Sequence, residues 1–419
     1  MSDKEELDPV SNEAAKVTPG KRISREPGAP LFIALVAITL VGPLSIHLFL
    51  PALPHVRQTF AVSESTAQLT FSLAVVVMAF ATLVYGSVSD RLGRLPVLLA
   101  GLVLFTVGAA VAVMAPGIEV LIVGRVLQGA GAGCGLVLAR VIVRDVYGVD
   151  QLGKMIAYLT TAYVLGPLTA PPIGGLLTDQ FGWESILILP VVFGLIAIVI
   201  APIVIGETGT IGTAARQSVI RGYRQLLGRR LFLLYAFAPA FGSAGFFAQG
   251  TAAAYLTIEV LERPASEFGI WFMLGPAGYM AGNFLSGRLG DRLTGSVLIA
   301  IGSIISVLGV VMLVGSTVGF GLTTLGLFVP FAILALGQGL VMPHSQAGAI
   351  AQEPALTGTA SGIVVFLQLL FTAMFSQLVS VLSDGTAIPM MFVVSVCAIL
   401  AMACGLGAVL LVRRDRAAS

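Results

Sequence analysis

His47 and Arg125 are the two residues of this 419-residue sequence whose surroundings make their chemistry hardest to ignore. Each sits in a stretch otherwise built of apolar side chains. A charge placed there is costly and usually faces a cavity, a partner or a transported ion. Imidazole changes charge near neutral pH without help from its surroundings, so His47 is a candidate to carry a proton; a purely structural histidine is the plainer alternative. Arg125 is the candidate fixed charge beside it, and Gln128 lies three residues on, on the same helical face. His55 and His344 fall near the ends of apolar stretches and are weaker candidates. Nothing resembles a Ser/His/Asp constellation, a metal-ligand spacing or a Walker A loop, so no enzyme, metal or cofactor is expected. Gly129, Gly131, Gly133 and Gly135 lack the G-x-G-x-x-G spacing and follow no strand; they read as close helix packing. Cys134, Cys397 and Cys404 lie in apolar segments and read as small packing residues.

The elements that must position these residues follow from composition. Hydrophobic residues make up 57% of the chain and charged ones 11%, against about 25% charged in a soluble domain. Mean hydropathy is +0.98. Apolar runs long enough to cross a ~30 Å hydrocarbon core recur at about 31–54, 66–88, 95–115, 120–143, 155–177, 185–205, 231–257, 268–288, 297–317, 322–342, 357–382 and 388–412. They lack the alternation of barrel strands, and lipid leaves backbone groups no partner but their own helix. An all-α membrane protein of twelve spans is expected. The first run is too long for a signal-peptide core and is read as a span. Residues 1–30 read as a disordered polar tail, and 413–419 as a second tail.

Lys and Arg set the orientation. Arg91, Arg94, Arg140, Arg144, Lys154, Arg216, Arg221, Arg224, Arg229, Arg230, Arg288, Arg292, Arg413, Arg414 and Arg416 fall on the side of the N-terminus, while Arg57 and Arg263 fall opposite. The positive-inside rule then puts both termini in the cytoplasm. A polar connector at 206–230 divides a six-span half, 31–205, from a second, 231–412. Gly86-x-x-x-Asp90-Arg91-Leu92 follows the second span, and Gly287-x-x-x-Asp291-Arg292-Leu293 follows the eighth. Two six-helix halves with a repeated signature describe a secondary transporter with its site between them. A net charge of +2, with no basic run interleaved with aromatics, predicts no nucleic-acid partner.

At the membrane edge, Asp90, Arg91 and Arg94 can pair, Gly86 and Gly93 permit close approach and a tight turn, and Asp145 can complete an acid–Arg–acid network. Such a network can latch one conformation; a solvated, positively charged loop is the plainer alternative. The run Gly86 to Arg94 resembles the loop signature of the major facilitator superfamily, and Arg125-Val-Leu-Gln128-Gly129 resembles its fourth-span motif. Gly166, Pro167, Pro171, Pro172, Gly174 and Gly175 resemble the fifth-span motif of its drug/proton antiporters. Leu50-Pro-Ala-Leu-Pro54, Arg144-Asp145-Val-Tyr147 and Gly358-Thr-Ala-Ser361 are similar to the twelve-span Bcr/CflA branch, the bicyclomycin- and chloramphenicol-type resistance exporters. The resemblance implies a multidrug exporter of the cell membrane, working as a monomer by proton antiport. It also implies that the fifth-span cluster seals the outer side, a merely structural kink being the alternative.

One departure stands out. The resembled branch carries an acidic residue just before Leu50-Pro-Ala-Leu-Pro54, and here that position holds His47. No Asp or Glu lies in any expected span core, which makes His47 the natural substitute. Phe246, Phe247, Gln249, Tyr255, Gln338, Phe366 and Gln368, with Gln128, combine aromatic walls with amide groups, as a cavity for small, partly apolar ligands needs. The expectation is an exporter of drug-like compounds by proton antiport and alternating access, with protons, a small molecule and the bilayer as its partners. A metabolite transporter or a non-transporting membrane sensor are the alternatives.

Overall fold

A computed structural model describes residues 28–208, 219–353 and 356–418. The expected polar tail before Gly28, and residues 209–218 of the connector with Arg216, lie outside the described residues, as do the side chains of Lys154, Arg221 and Arg416. Among the described residues every regular element is helical. In the N-terminal half these are α1 (Ala29–Leu48), a 3-10 turn (Leu50–Ala52), α2 (Leu53–Thr59), α3 (Glu64–Leu92), α4 (Arg94–Val113), α5 (Ile118–Phe181) and α6 (Ser185–Val204). The connector contributes α7 (Val219–Leu227). The C-terminal half holds α8 (Arg230–Tyr255), a π turn (Leu256–Val260), α9 (Ala265–Phe272), α10 (Leu274–Leu289), α11 (Gly295–Phe320), α12 (Thr324–Ile350), α13 (Thr357–Leu382) and α14 (Ile388–Ala418).

Local signals mark the ends. Ser63 accepts from the Thr66 amide at 3.1 Å to cap α3, and Thr323 accepts from Gly326 to cap α12 at the same distance. Gly93, at φ 99°, turns the chain from α3 into α4 in the left-handed region that glycine tolerates. Gly148, at φ 72°, breaks the long run of α5. The chain reverses there. Arg125 reaches Ser45 and Phe49 of α1, Gly135 lies against Ile38, Gly166 against Pro43 and Gly174 against Leu48. The first arm of α5 therefore runs antiparallel to α1 and the second parallel to it.

Among the described residues ten helical stretches are long and apolar enough to cross a membrane. The two remaining expected spans have a different form. The fifth is the second arm of α5, joined to the fourth through the break at Gly148. The eighth, read as one run at 268–288, is two helices meeting at Met273. Pro276 has no N–H to bond the Phe272 carbonyl, and the ladder is interrupted there. With alternate helices running in opposite directions, residues 29 and 418 lie at one end, here called the terminal end; the other is the distal end. On α6 and α11, Leu195, Val199, Ile203, Leu308 and Val311 face outward and exposed, as on lipid-facing helices. The two halves share one apolar core, in which Leu35, Phe71 and Phe105 join Phe268, Phe272 and Phe331.

Candidate functional site

α1 presents His47 to the opposite half. The ring is 3% exposed, and its Nδ1 lies 2.8 Å from the Pro43 carbonyl one turn back. A carbonyl only accepts, so Nδ1 carries a hydrogen and, in the neutral ring, Nε2 is the free acceptor. Phe247 of α8 lies at 5.2 Å between centroids and Phe272 of α9 at 6.4 Å. Phe247 also meets Phe71 of α3 at 6.0 Å, and Phe246 meets Phe331 at 4.6 Å with the rings tilted by 37°. His47 is thus the polar member of an aromatic seam joining the halves.

Arg125 does not share this seam. It is 2% exposed, and its guanidinium lies 4.2 Å above the Phe49 ring. It donates to Ser45 Oγ at 3.2 Å, to the Thr70 carbonyl at 3.3 Å and to Gln128 Oε1 at 2.5 Å. Ser45 on α1 and Phe49 just after its end lie one turn apart, whereas His47 is turned from them by about 200°. The structure therefore sets His47 and Arg125 on different faces of α1. All the neutral acceptors around Arg125 belong to the N-terminal half, while the Gln128 amide nitrogen is buried without a partner.

The residues at the α3–α4 turn do come together. Arg94 donates to Asp90 at 2.5 Å and to Asp145 of α5 at 3.0 Å. Glu207 accepts from the backbone amides of Arg94 and Leu95 at 2.9 and 3.2 Å, and negative charge is favoured at that start of α4. Arg91 is exposed, and Gly86 lies 3.7 Å, from an ideal Cβ, to Val137. Every member of this network belongs to the first half except Glu207, which follows α6 at the start of the connector. In this conformation it fastens α3, α4 and α5 to each other and leaves the second half untouched. In the repeat, Arg288, Asp291 and Arg292 are exposed, and Arg288 lies over Phe284.

The fifth-span cluster stands at the seam, towards the distal end. A Cβ on Gly175 would overlap the Ala265 carbonyl and lie 2.8 Å from Ser266 Cα; one on Gly269 of α9 would lie 2.8 Å from Pro172 Cα. These two glycines let the backbones of α5 and α9 touch across the halves, with Pro171 and Pro172 forming the opposing wall. Gly174 meets the Leu48 carbonyl and Gly166 meets Pro43 on α1. The hydrogen bonds that join the halves gather nearby. Asp179 accepts from the Ala265 and Ser266 amides at 3.0 and 2.9 Å. Arg57 pairs with Glu259. Ser383 donates to Glu64 at 2.6 Å, Ser72 donates to Gln377 at 2.6 Å, and Gln377 donates to the Ser65 carbonyl at 2.9 Å. The distal end is closed.

The residues expected to line one cavity are dispersed. Phe246 and Phe247 belong to the aromatic seam. Gln249 donates to the Leu327 carbonyl at 3.1 Å and keeps a buried, unpartnered Oε1. Gln338 donates to the Gly242 carbonyl at 2.5 Å, inside the second half. Phe366 meets Phe80 across the halves at 5.1 Å, and the Gln368 amide nitrogen is buried and unpartnered. Tyr255 lies at the distal end, beside Glu64 and Glu259. His344 meets Ser286 at 2.9 Å on the terminal side.

Sequence reasoning missed the distal ties because Arg57, Glu64, Asp179 and Glu259 look like ordinary loop charges. It also grouped Arg140 with the loop charges, whereas Arg140 lies beside Tyr163 of α5. Gln68 was overlooked; both of its side-chain polar atoms are buried and unpartnered, and its place inside an apolar run was the available signal. Among the described residues no three His, Cys, Asp or Glu side chains converge to hold a metal ion.

Against this geometry the comparisons with known proteins are specific. The profile of the Major Facilitator Superfamily matches residues 35–376. The chain belongs to the major facilitator superfamily. It is a membrane transporter of that superfamily with relatives of the multidrug-resistance type. It is 28% identical to multidrug resistance protein D of Escherichia coli K12, over 86% of this chain and 91% of that protein. It is 25% identical to the bicyclomycin resistance protein homolog of Haemophilus influenzae, over 88% of this chain and 94% of the relative. An uncharacterized superfamily transporter of Bacillus subtilis, YdgK, is 28% identical over 87% of this chain and 92% of its own length. Among solved structures, a peptide transporter superposes with a TM-score of 0.72 at 15% identity, covering 91% of this chain and 94% of that one. A D-xylose–proton symporter superposes with a TM-score of 0.70 at 15% identity, covering 91% and 96%. These likenesses establish the superfamily fold and say nothing of substrate.

Proposed function

We propose that the chain exports small, largely apolar or neutral polar compounds from the cytoplasm in exchange for protons, by alternating access. The observation that carries the reading is the seam at the distal end. A glycine–proline segment of the kind found in drug/proton antiporters lies there against the other half, with polar ties around it and His47 enclosed beneath. Relatives named for multidrug and bicyclomycin resistance support the substrate class. The excess of Lys and Arg at the terminal end supports a cytoplasmic placement of both termini in a bacterial-type cell membrane, and the distal end is then the outer one. On this reading the structure is closed to the outside. Export requires the distal ties to part while the terminal ends approach, as two packed halves rock about a site between them. Expression in an efflux-deficient bacterium, scored for growth against a panel of antibiotics and metabolites, tests the reading. Protection against several chemically unrelated antibiotics is expected; a phenotype confined to one metabolite would replace it with metabolite transport.

The network at Asp90 controls conformational exchange in this reading. Asp90→Asn keeps the shape but removes the charge that holds Arg94. Transport should slow by about tenfold, the cost of one charge-assisted hydrogen bond, while equilibrium substrate affinity stays nearly unchanged. Rapid-mixing transport assays with equilibrium binding on the same preparation check this. Lost affinity with normal turnover of the bound fraction would place Asp90 in the binding site.

Arg125 sets the expected charge of the substrate. Its partners are Ser45, the Thr70 carbonyl, Gln128 and the Phe49 face, with no carboxylate among them. A permanent organic cation entering beside it meets a like charge at low effective dielectric. Neutral and zwitterionic compounds are therefore expected to be exported in preference to quaternary ammonium compounds. Growth protection against a quaternary ammonium biocide, abolished on deleting the gene, would contradict this.

A further inference from the structure

The distal ties enclose more than a closed seam. A cavity of about 480 Å³ opens among them, lined by Arg57 and Glu64 from the first half and by Tyr255, Glu259, Ser380 and Asp384 from the second. Its charge is unbalanced: three carboxylates face one guanidinium. Arg57 is engaged by Glu259. Glu64 accepts from the Ser383 hydroxyl at 2.6 Å, with the Ser380 hydroxyl beside it. Asp384 is held by the Thr386 hydroxyl at 2.6 Å and by its amide at 2.9 Å, which keep its carboxyl below the usual range and therefore charged in a mildly acidic exterior.

Two further atoms ask for donors. The Tyr255 hydroxyl, on a side chain 3% exposed, has no hydrogen-bond partner, and neither does Glu259 Oε1. Tyr255 lines the same cavity as Glu64, Glu259 and Arg57. Buried polar groups of this kind are normally satisfied. The acidic groups do not converge closely enough for a metal ion among the described residues. What suits spread acceptors around a space of this size is a cation carrying several N–H donors.

We propose that this cavity binds aliphatic ammonium compounds, diamines above all, from the side of the membrane opposite the termini. One ammonium group sits by Glu64 and the Tyr255 hydroxyl and the other towards Asp384. Because the walls come from both halves, the ligand binds only while the distal end is closed. It therefore favours that state by its difference in affinity between the two states. An external diamine would act on the exporter as an inhibitor rather than as cargo. Access from outside rests on the orientation proposed above; the binding itself does not.

Calorimetric titration of the purified full chain in lipid nanodiscs with 1,4-diaminobutane tests this directly, without any transport measurement. Saturable binding is expected, weakened about tenfold by Glu64→Gln and several-fold by Asp384→Asn, each of which removes one charged partner. Tetramethylammonium, which has the charge but no N–H donor, should bind about tenfold more weakly. Asp384 is on an exposed loop, so its variant keeps the test sound if Glu64→Gln folds poorly. Spin labels at Gln58 and Arg263, on the two sides of the seam, should report a larger closed population on adding 1,4-diaminobutane. Absence of saturable binding, equal affinity in both variants, equal binding of tetramethylammonium, or a shift towards separated labels would each overturn the proposal.

Discussion

Gly175→Val is expected to open the distal end and reduce uphill export by at least about tenfold. The Gly175 Cα faces the Ala265 carbonyl and Ser266 Cα so closely that even a methyl group has no room. Backbone cannot swing aside as a flexible side chain can. Overpacking of this kind costs about 1–3 kcal/mol, and here the strain exists only while the halves touch. Separating them relieves it, so the equilibrium should move towards the distal-open state by about 5–150-fold. Gly269→Val attacks the same contact from the opposite half, where its Cβ would meet Pro171 and Pro172. Spin labels at Gln58 and Arg263 should move apart in either variant. An unchanged distance distribution would mean that the glycine–proline segment is a kink within one half and not the seal between two.

His47→Ala is expected to abolish uphill export while sparing downhill exchange of substrate. The ring is enclosed between the halves, fixed through Nδ1 to the Pro43 carbonyl and covered by Phe247 and Phe272. On the orientation proposed above, parting the seam uncovers it to the exterior, about seven residues or ~10 Å of helix rise from Pro54. A proton taken there and carried inward across the membrane gains about 2.3 kcal/mol per 100 mV, enough for about a fifty-fold substrate gradient in one-for-one exchange. Alanine cannot carry that proton. His47→Asp should restore coupling, since it supplies the carboxylate that similar exporters place there. Substrate accumulation driven by a proton gradient, measured beside counterflow without one, separates the two functions. Unchanged accumulation in the alanine variant would move the coupling role to Asp90 or Asp145.

Lipid explains why so much of the fold was legible. A run such as Ser185–Val204 has only one way to satisfy its backbone in hydrocarbon, and composition alone marks it as a helix. The Asp90–Arg94 pair was legible for a related reason: the two bracket a short turn between adjacent helices, four residues apart, and Asp145 was added to it by its place at the same edge of the membrane rather than by sequence spacing. The seam was not legible in detail. Which glycines of the fifth span touch the other half depends on how α5 and α9 cross, and no local pattern encodes that crossing. The same holds for Arg57 and Glu259, 202 residues apart in sequence. His47 and Arg125 were expected to act as neighbours because both are polar in apolar helices. Their separation follows from the turn of α1, which points Ser45 and Phe49 one way and His47 the other. The proposed cavity residues scattered because residue type says what a wall can offer, while helix rotation decides which wall it belongs to.

Proton-coupled export is the central claim, and a substrate-induced proton flux tests it most directly. Everted membrane vesicles containing the protein, energised to an acidic interior reported by a pH-sensitive dye, present the terminal end to the added compound. A compound against which the protein protects cells should release protons from the vesicles on addition, at a rate that saturates with concentration. The release should be absent in vesicles bearing His47→Ala. Protection of cells against a compound that leaves the vesicle pH gradient untouched would contradict proton antiport.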